Sequence, residues 1–188
     1  MSPPTWFFPG TDPPYAEDAE PRPLSRYGDT KRRGEMAVLA ASPENLVLRV
    51  PLLYGLAAGI GQCPFLLSTL RALTSPTPWP MDDAIVKCPT WTGDVAAAVL
   101  FLLERGGGGI FHCRAPDRQS RYALTAMVAD VLGLSMASVI RREASPEGDA
   151  KRPRDAFLGM DRLLARGFSE PLLLAMRLDR LKPEILRA

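Results

Sequence analysis

Tyr27 and Lys31 stand four residues apart in the segment Arg26-Tyr27-Gly28-Asp29-Thr30-Lys31. On a helix that spacing puts both side chains on one face. An ammonium within a few ångströms of a phenol favours the phenolate and lowers the tyrosine pKa. A tyrosine so activated can pass a proton to a carbonyl oxygen while hydride arrives at the carbon. The same lysine can hydrogen-bond a nicotinamide ribose. Chance also produces this spacing, with the ring anchoring a surface helix and the lysine in water, so the pair alone defines a candidate and not a site.

The other chemistry-bearing residues offer less. Gly55-Leu56-Ala57-Ala58-Gly59-Ile60-Gly61 comes nearest to a phosphate-binding turn. Its spacing matches neither G-x-G-x-x-G nor G-x-x-G-x-x-G, and Pro64 interrupts the segment downstream. His112, the one histidine, falls in an apolar strand and reads as a satisfied core or edge residue. Cys63, Cys88 and Cys113 are odd in number and form no C-x-x-C pair. A disulfide framework and a metal site are therefore not expected, and a reducing, cytoplasmic setting fits the cysteine usage. Trp79, between Pro78 and Pro80, reads as a loop anchor. Trp91 either faces a cleft or packs. Met127, Met160 and Met176 read as core fillers.

Composition narrows the class. The chain has 188 residues, 46% hydrophobic and 23% charged, with a formal net charge of +2. These values suit one globular domain and exclude a charged disordered tail, a collagen or a coiled coil. No apolar run reaches the roughly 18 residues of a membrane helix, and no secretory signal is visible. From residue 141 onward, eleven basic residues face eight acidic ones. That bias suits an anionic ligand and is too weak to argue for nucleic acid.

The elements that must position these residues can be read from patterning. Seven of 19 prolines lie in the first 23 residues, which bars a helix there. Thr5 to Phe8 reads as a strand end, Pro9-Gly10 as a turn and Asp12 to Pro23 as an extended acidic loop. Ser25 is a plausible cap for a helix in which Tyr27, Lys31, Gly34 and Val38 share a face. Leu46 to Val50 is a buried strand that Pro51 to Gly55 leaves. Gln62 to Leu73 is helical and Ala84 to Lys87 a short strand. Thr92-Gly93-Asp94 caps a helix running to about Arg105, its stripe formed by Val95, Val99 and Leu102 or Leu103. Gly106 to Gly109 breaks it before the strand Ile110 to Cys113. Ser120 caps a helix from Arg121 to Leu132 that Gly133 stops. Ser138 to Arg141 is a strand, and two helices come after it over Met160 to Arg166 and Pro171 to Leu181. Helices and strands alternate, so the fold class is α/β.

Motif order adds a resemblance. Phe8-Pro9-Gly10…Tyr15, then Tyr27…Lys31 with Gly34-Glu35, Leu48-Arg49-Val50-Pro51-Leu52-Leu53-Tyr54-Gly55, Pro89-Thr90…Asp94-Val95 and Gly109-Ile110-Phe111-His112 stand in this order. This resembles the extended short-chain dehydrogenase/reductase superfamily over nearly the whole chain. Within it the chain is similar to the dTDP-4-dehydrorhamnose reductases (RmlD-like) and to their relative, the regulatory beta subunit of methionine adenosyltransferase. The segment Lys151-Arg152-Pro153-Arg154-Asp155-Ala156-Phe157-Leu158 and the Leu-rich helix after it look more like the beta subunit.

The resemblance implies roles. Tyr27 would be the catalytic acid, Lys31 its helper and ribose ligand, and Leu53 would touch the nicotinamide of NADP(H). Thr90 and Asp94 would line the sugar or partner side. Arg152 and Arg154 would stand near the substrate cleft, able to meet a diphosphate through forked hydrogen bonds unless they form a solvated basic loop. Three departures stand beside these roles. The family's carbonyl-polarising Ser or Thr positions fall on Pro3 and Pro4, with Ser2 and Thr5 out of register. The cofactor half is missing, as in an N-terminally truncated product, which leaves residues 1–60 as its remnant with the Tyr–Lys helix and 61–188 as the substrate or partner side. The basic-aromatic tail of the beta subunit is absent too. The implied fold is the C-terminal part of a Rossmann-like reductase. The implied function is a regulatory, non-catalytic subunit whose partner is the methionine adenosyltransferase catalytic subunit in S-adenosylmethionine synthesis, with reduction of a nucleotide-activated 4-keto sugar as the alternative. NADP(H) binding by this chain, a membrane and a nucleic acid are not expected.

Overall fold

The structure is a computed structural model that describes residues 7–56, 59–143 and 153–187. Ser2, Pro3, Pro4, Thr5 and Arg152 lie outside them. Among the described residues six α-helices and eight strands alternate: α1 (Arg26–Ala41), β1 (Leu46–Arg49), β2 (Leu52–Tyr54), α2 (Pro64–Leu73), β3 (Trp79–Asp82), β4 (Val86–Lys87), β5 (Pro89–Trp91), α3 (Thr92–Arg105), β6 (Gly109–His112), β7 (Gln119–Ser120), α4 (Arg121–Leu132), β8 (Val139–Arg142), α5 (Asp161–Ala165) and α6 (Leu174–Ile185). The α/β class read from the sequence agrees with this order.

The strands pair in four short ladders. β1 runs parallel to β6, β2 to β5 and β3 to β8, while β4 and β7 are antiparallel. Pro51 explains the first change of partner. It has no N–H to give a ladder, so the apolar run Leu46 to Tyr54 splits, and its two parts pair with different strands. The sequence reading has the chain leave the strand at Pro51, but Leu52 to Tyr54 forms β2. Thr90 then ties the two ladders together, its hydroxyl accepting the Ala115 N–H at 3.0 Å just beyond β6.

Trp79 is a second correction. It does not anchor a loop but opens β3, with its N–H bonded to the Ser138 carbonyl at 2.7 Å. Asp83 makes the equivalent bond to Arg142 at 2.9 Å. The donors facing β8 therefore come from alternate residues, and Pro78 and Pro80 occupy the positions between them. Their missing N–H groups point away from the ladder, which is where a strand tolerates proline and where proline deters edge pairing.

Three apolar clusters hold these layers. The largest lies between α2, α4 and α6, where Leu66, Leu124, Val128, Leu174 and Leu178 are fully buried. The second sits under β1 and β6 against α3 and α5. The third joins Phe7, Phe8 and Tyr15 to Ala156 and Leu158, with the Phe8 and Tyr15 rings stacked at 4.2 Å. Gly10, at φ 79°, passes so close to the segment 153–155 that a Cβ there would lie 2.8 Å from Pro153, so the turn requires glycine. Two helices begin on borrowed acceptors. Asp117 accepts the Leu174 N–H at the start of α6, and Glu17 accepts the Arg162 N–H in α5. Burial pushes both carboxyls above their ordinary pKa.

Burial also corrects two stripes. On α3 the buried residues are Val95, Ala98 and Leu102, while Val99 and Leu103 face outward. Met176 is exposed and not a core filler, whereas Met160 is fully buried. The helix expected over Pro171 to Leu181 instead starts at Leu174 and runs to Ile185.

Among the described residues β1 pairs on one side only, and grooves open on both of its faces. One lies against α1. The other, about 280 Å³, is lined by Leu46, Leu48, Val99, Leu102 and Leu103. Parallel strands are stable when covered on both faces, and an uncovered apolar edge invites pairing. The isolated chain is therefore expected to self-associate as its concentration rises and to melt below about 60 °C, the upper part of the mesophile range. A monomer by light scattering with a cooperative melt above that temperature contradicts this reading.

Candidate functional site

The candidate pair sits on α1. Ser25 caps the helix by accepting the Gly28 N–H at 3.2 Å, and Asp29 in the first turn pairs with Arg33 at 2.9 Å. A negative charge there favours the positive helix end. Tyr27 and Lys31 do share a face, with the lysine Nζ 5.5 Å from the centre of the phenol ring. That face is open. Tyr27 is 45% exposed and Val38 43%. Lys31, Gly34 and Val38 line, with Leu46 to Leu48, the groove of about 330 Å³ between α1 and β1.

The buried side of α1 carries Gly28 and Glu35. Glu35 meets Arg49, the last residue of β1, in an ion pair whose side chains are only 7% and 2% exposed. The contact is forked: Arg49 Nη2 lies 2.8 Å and Nε 3.1 Å from Glu35 Oε2, and Nε 3.2 Å from Oε1. The guanidinium also lies over the rings of Phe7 and Phe8 at 5.3 and 5.6 Å. His112, opposite Arg49 in β6, completes the group. Its Nδ1 is 2.9 Å from the Gly159 carbonyl and must donate to it, so Nε2 is the acceptor facing Arg49 Nη1 at 3.4 Å. Burial, and then the Arg49 charge, depress the His112 pKa to about 3. The histidine is a satisfied core residue, as its setting in the sequence implies. Sequence reasoning places Glu35 and Arg49 within motifs but does not join them. An arginine inside Leu46-Val47-Leu48-Arg49-Val50 is the available signal, because a charge in a buried strand needs a partner.

The remaining expected residues are dispersed. Leu53 lies in β2 and lines a separate groove of about 330 Å³ with Tyr54, Gly55, Gln62, Cys63, Pro64 and Thr92. That groove shares no residue with the one at Lys31. Gly55 permits a close approach, since a Cβ there would stand 2.2 Å from Thr92 Oγ1. Thr90 is fully buried and spends its hydroxyl on Ala115. Asp94, in the first turn of α3, pairs with Arg177 of α6 at 2.6 Å. Its Oδ2 and the Arg177 Nε are buried without a hydrogen-bond partner among the described residues. Trp91 packs between the Tyr54 ring and Arg177, and burial raises the Tyr54 phenol pKa above its ordinary range. Arg154 is exposed, and its carbonyl accepts the Val86 N–H at 2.7 Å. Cys88 and Cys113 are buried thiols pushed up to about 12, hence unreactive.

A dinucleotide needs two things here, a contact at the nicotinamide ribose and amides for the diphosphate. Tyr27 and Lys31 fit the first. The described part of the Gly55 to Gly61 turn does not fit the second, because the Gly59, Gln62 and Cys63 N–H groups bond to carbonyls within the turn. Among the described residues no cluster suits a metal ion, and no helix is long and apolar enough to cross a membrane.

Parallel ladders joined through helices, with a Tyr–Lys pair on the helix that precedes β1, define a Rossmann-like fold of the extended short-chain reductase class. Solved structures agree. The dTDP-4-dehydrorhamnose reductase of Bacillus anthracis, in complex with NADP, superposes with a TM-score of 0.80 over 94% of this chain and 61% of its own, at 21% identity. The UDP-glucose 4-epimerase of Thermotoga maritima, with UDP-glucose, gives 0.78 over 99% and 62%, also at 21% identity. The RmlD substrate binding domain matches residues 5–178, and the chain belongs to that family. Among curated relatives, methionine adenosyltransferase 2 subunit beta of Danio rerio is 32% identical over 170 residues, 87% of this chain and 53% of that protein. A dTDP-4-keto-6-deoxy-D-glucose reductase of Streptomyces niveus is 33% identical over 160 residues, 83% and 54% respectively. The chain thus spans about half the length of the curated relatives it matches.

Two outcomes test the buried network. Removing one member of a buried pair leaves the other charge stranded, so Glu35→Ala should cost about 3–5 kcal/mol in urea denaturation. Replacing both as Glu35→Leu with Arg49→Met should recover most of that loss. The second concerns pH. The unfolded histidine binds a proton below about 6.5, while the folded one stays neutral down to about 3. Its contribution is therefore complete above pH 6.5 and is lost as pH falls, weakening folding by up to about tenfold per pH unit. Comparing the chain with His112→Gln between pH 7 and 5 should show the slope of the parent reduced by one proton in the variant.

Proposed function

We propose that this chain is the substrate-side segment of an RmlD-type protein that serves as a regulatory module, in the manner of methionine adenosyltransferase 2 subunit beta, and does not itself turn over a substrate. Residues 1–60, with the Tyr27–Lys31 helix, act as the cofactor side and 61–188 as the substrate or partner side. The observation that carries this reading is the state of the candidate acid. Tyr27 is 45% exposed on the outer face of α1, one turn from Lys31, which lines the groove against β1, whereas proton transfer coupled to hydride arrival needs an enclosed site that excludes water. The amide-satisfied turn at Gly59 and the 32% identity to a regulatory subunit support it further. The partner is then the catalytic subunit of a methionine adenosyltransferase. Arg154, exposed beside the third apolar cluster, is the described residue best placed to meet it.

A second reading is reduction of a nucleotide-activated 4-keto sugar with NADPH. It rests on the Tyr27 and Lys31 pair sharing one face and on the similarity to a dTDP-4-keto-6-deoxy-D-glucose reductase. In that case Tyr27 is the proton donor and Lys31 the ribose ligand, with Leu53 at the nicotinamide and Thr90 and Asp94 on the sugar side.

One variant separates the readings. Under the regulatory reading the chain binds the methionine adenosyltransferase catalytic subunit, Tyr27→Phe leaves that binding intact, and calorimetric titration with NADPH gives no micromolar constant. Under the reductase reading the parent reduces the 4-keto sugar and Tyr27→Phe slows it by about 10²–10⁴-fold, the usual size of a general-acid contribution. Tight NADPH binding by the chain, or sugar reduction that Tyr27→Phe abolishes, overturns the regulatory proposal.

A further inference from the structure

The loop between α2 and β3 reads Thr74-Ser75-Pro76-Thr77-Pro78, and nothing in the proposed function uses it. Thr77 stands between two prolines, and each proline pushes the residue before it toward an extended backbone. Thr77 and Pro78 are both exposed. An exposed hydroxyl residue with a residue lacking an N–H after it is the chemistry that a proline-directed protein kinase reads. Two further Ser/Thr-Pro pairs among the described residues are less available. The Ser75 hydroxyl is engaged on both sides, donating to the Thr77 carbonyl at 2.7 Å and accepting the Thr77 N–H at 3.2 Å. Ser42, before Pro43, is partly buried, and its hydroxyl accepts the Glu44 N–H at 3.2 Å. The Thr77 hydroxyl has only a 3.4 Å contact with Ser75 Oγ.

We propose that Thr77 is a phosphorylation site for a proline-directed kinase, and that the phosphate loosens the loop that starts β3. The Thr77 oxygen attacks the γ-phosphorus of ATP. The new O–P bond forms as the bond to the β-phosphate oxygen breaks, ADP leaves, and the hydroxyl proton passes to the kinase. The product adds about 1.5 to 2 negative charges. It does so in a groove of about 430 Å³ lined by Leu73 and Thr74 at the end of α2, and by Ser135 and Ser138 just beyond α4. No lining residue is charged. α2 ends at this groove with Leu73, so the negative end of that helix repels an anion there, and the lining offers it no cation.

The test uses the full chain, ATP and a purified kinase of the proline-directed class, with mass spectrometry to place the phosphate. One phosphate at Thr77, lost in Thr77→Ala and in Pro78→Ala, supports the site. No incorporation, incorporation at Ser42, Ser75 or elsewhere with Thr77 unmodified, or incorporation that Pro78→Ala leaves unchanged overturns it. The loosening is read by limited proteolysis within residues 74–78. Cleavage should be about two- to fivefold faster in the phosphorylated chain, the factor expected from one unfavourable charge at a helix end. Equal or slower cleavage overturns the loosening.

Discussion

The ion pair between Glu35 and Arg49, completed by His112, is the contact on which the arrangement of this chain turns. It joins the helix that carries Tyr27 and Lys31 to β1, extends to β6 through the histidine, and reaches the lead-in to α5 through the Gly159 carbonyl. Two charges at this depth are costly unless every donor and acceptor is met. Here a forked contact, two aromatic faces and a neutral histidine with a single workable tautomer meet them. The consequence is a fixed register of α1 against the sheet, so the open face of α1 always presents the same residues.

Around that anchor the chain uses side chains from afar where local sequence offers no cap. α6 has no cap of its own and begins on the buried Asp117, and this places Arg177 against Asp94 at the start of α3. Ser120 caps α4 and also donates to Asp83, which Arg141 holds from β8. Those two bonds keep the Asp83 carboxyl below its ordinary pKa. Prolines act in the same spirit. Pro51 divides one apolar run between two ladders, and Pro78 and Pro80 remove two donors from the outer side of β3.

These constraints bear on function through what they cover and what they leave open. The third apolar cluster is closed by stacked rings, but among the described residues β1 pairs on one side only, with grooves beside it that reach into the second cluster. Lys31, one turn from Tyr27, lines one of them. A reductase needs that region enclosed, whereas a binding module can leave it accessible. Membership of the RmlD family and a span of half the curated relatives are compatible with both uses, so the two function readings separate on binding and turnover rather than on fold.

Much of the scaffold was legible in local sequence. Ser25 and Ser120 as caps, Gly133 as a stop, the break at Gly106 to Gly109 and the Tyr27–Lys31 face all depend on interactions within a few residues, which spacing reports directly. Motif order carried the family. The elements that escaped were β2, β3, β5 and β7, each built on residues that look like loop, such as Leu52, Trp79, Pro89 and Gln119. They are strands because a distant strand supplies hydrogen bonds, and no local pattern records a distant partner. The outward turn of Val99, Leu103 and Met176 escaped for the same reason, since a helix shows its apolar residues but not which neighbour takes which face. So did the candidate site's outline. Sequence alone determined the residue types and their helical spacing. Tertiary structure alone decided that Thr90 would be spent on Ala115, Asp94 on Arg177 and Arg49 on Glu35, because pairing a buried charge or donor depends on what the fold brings within about 3 Å of it.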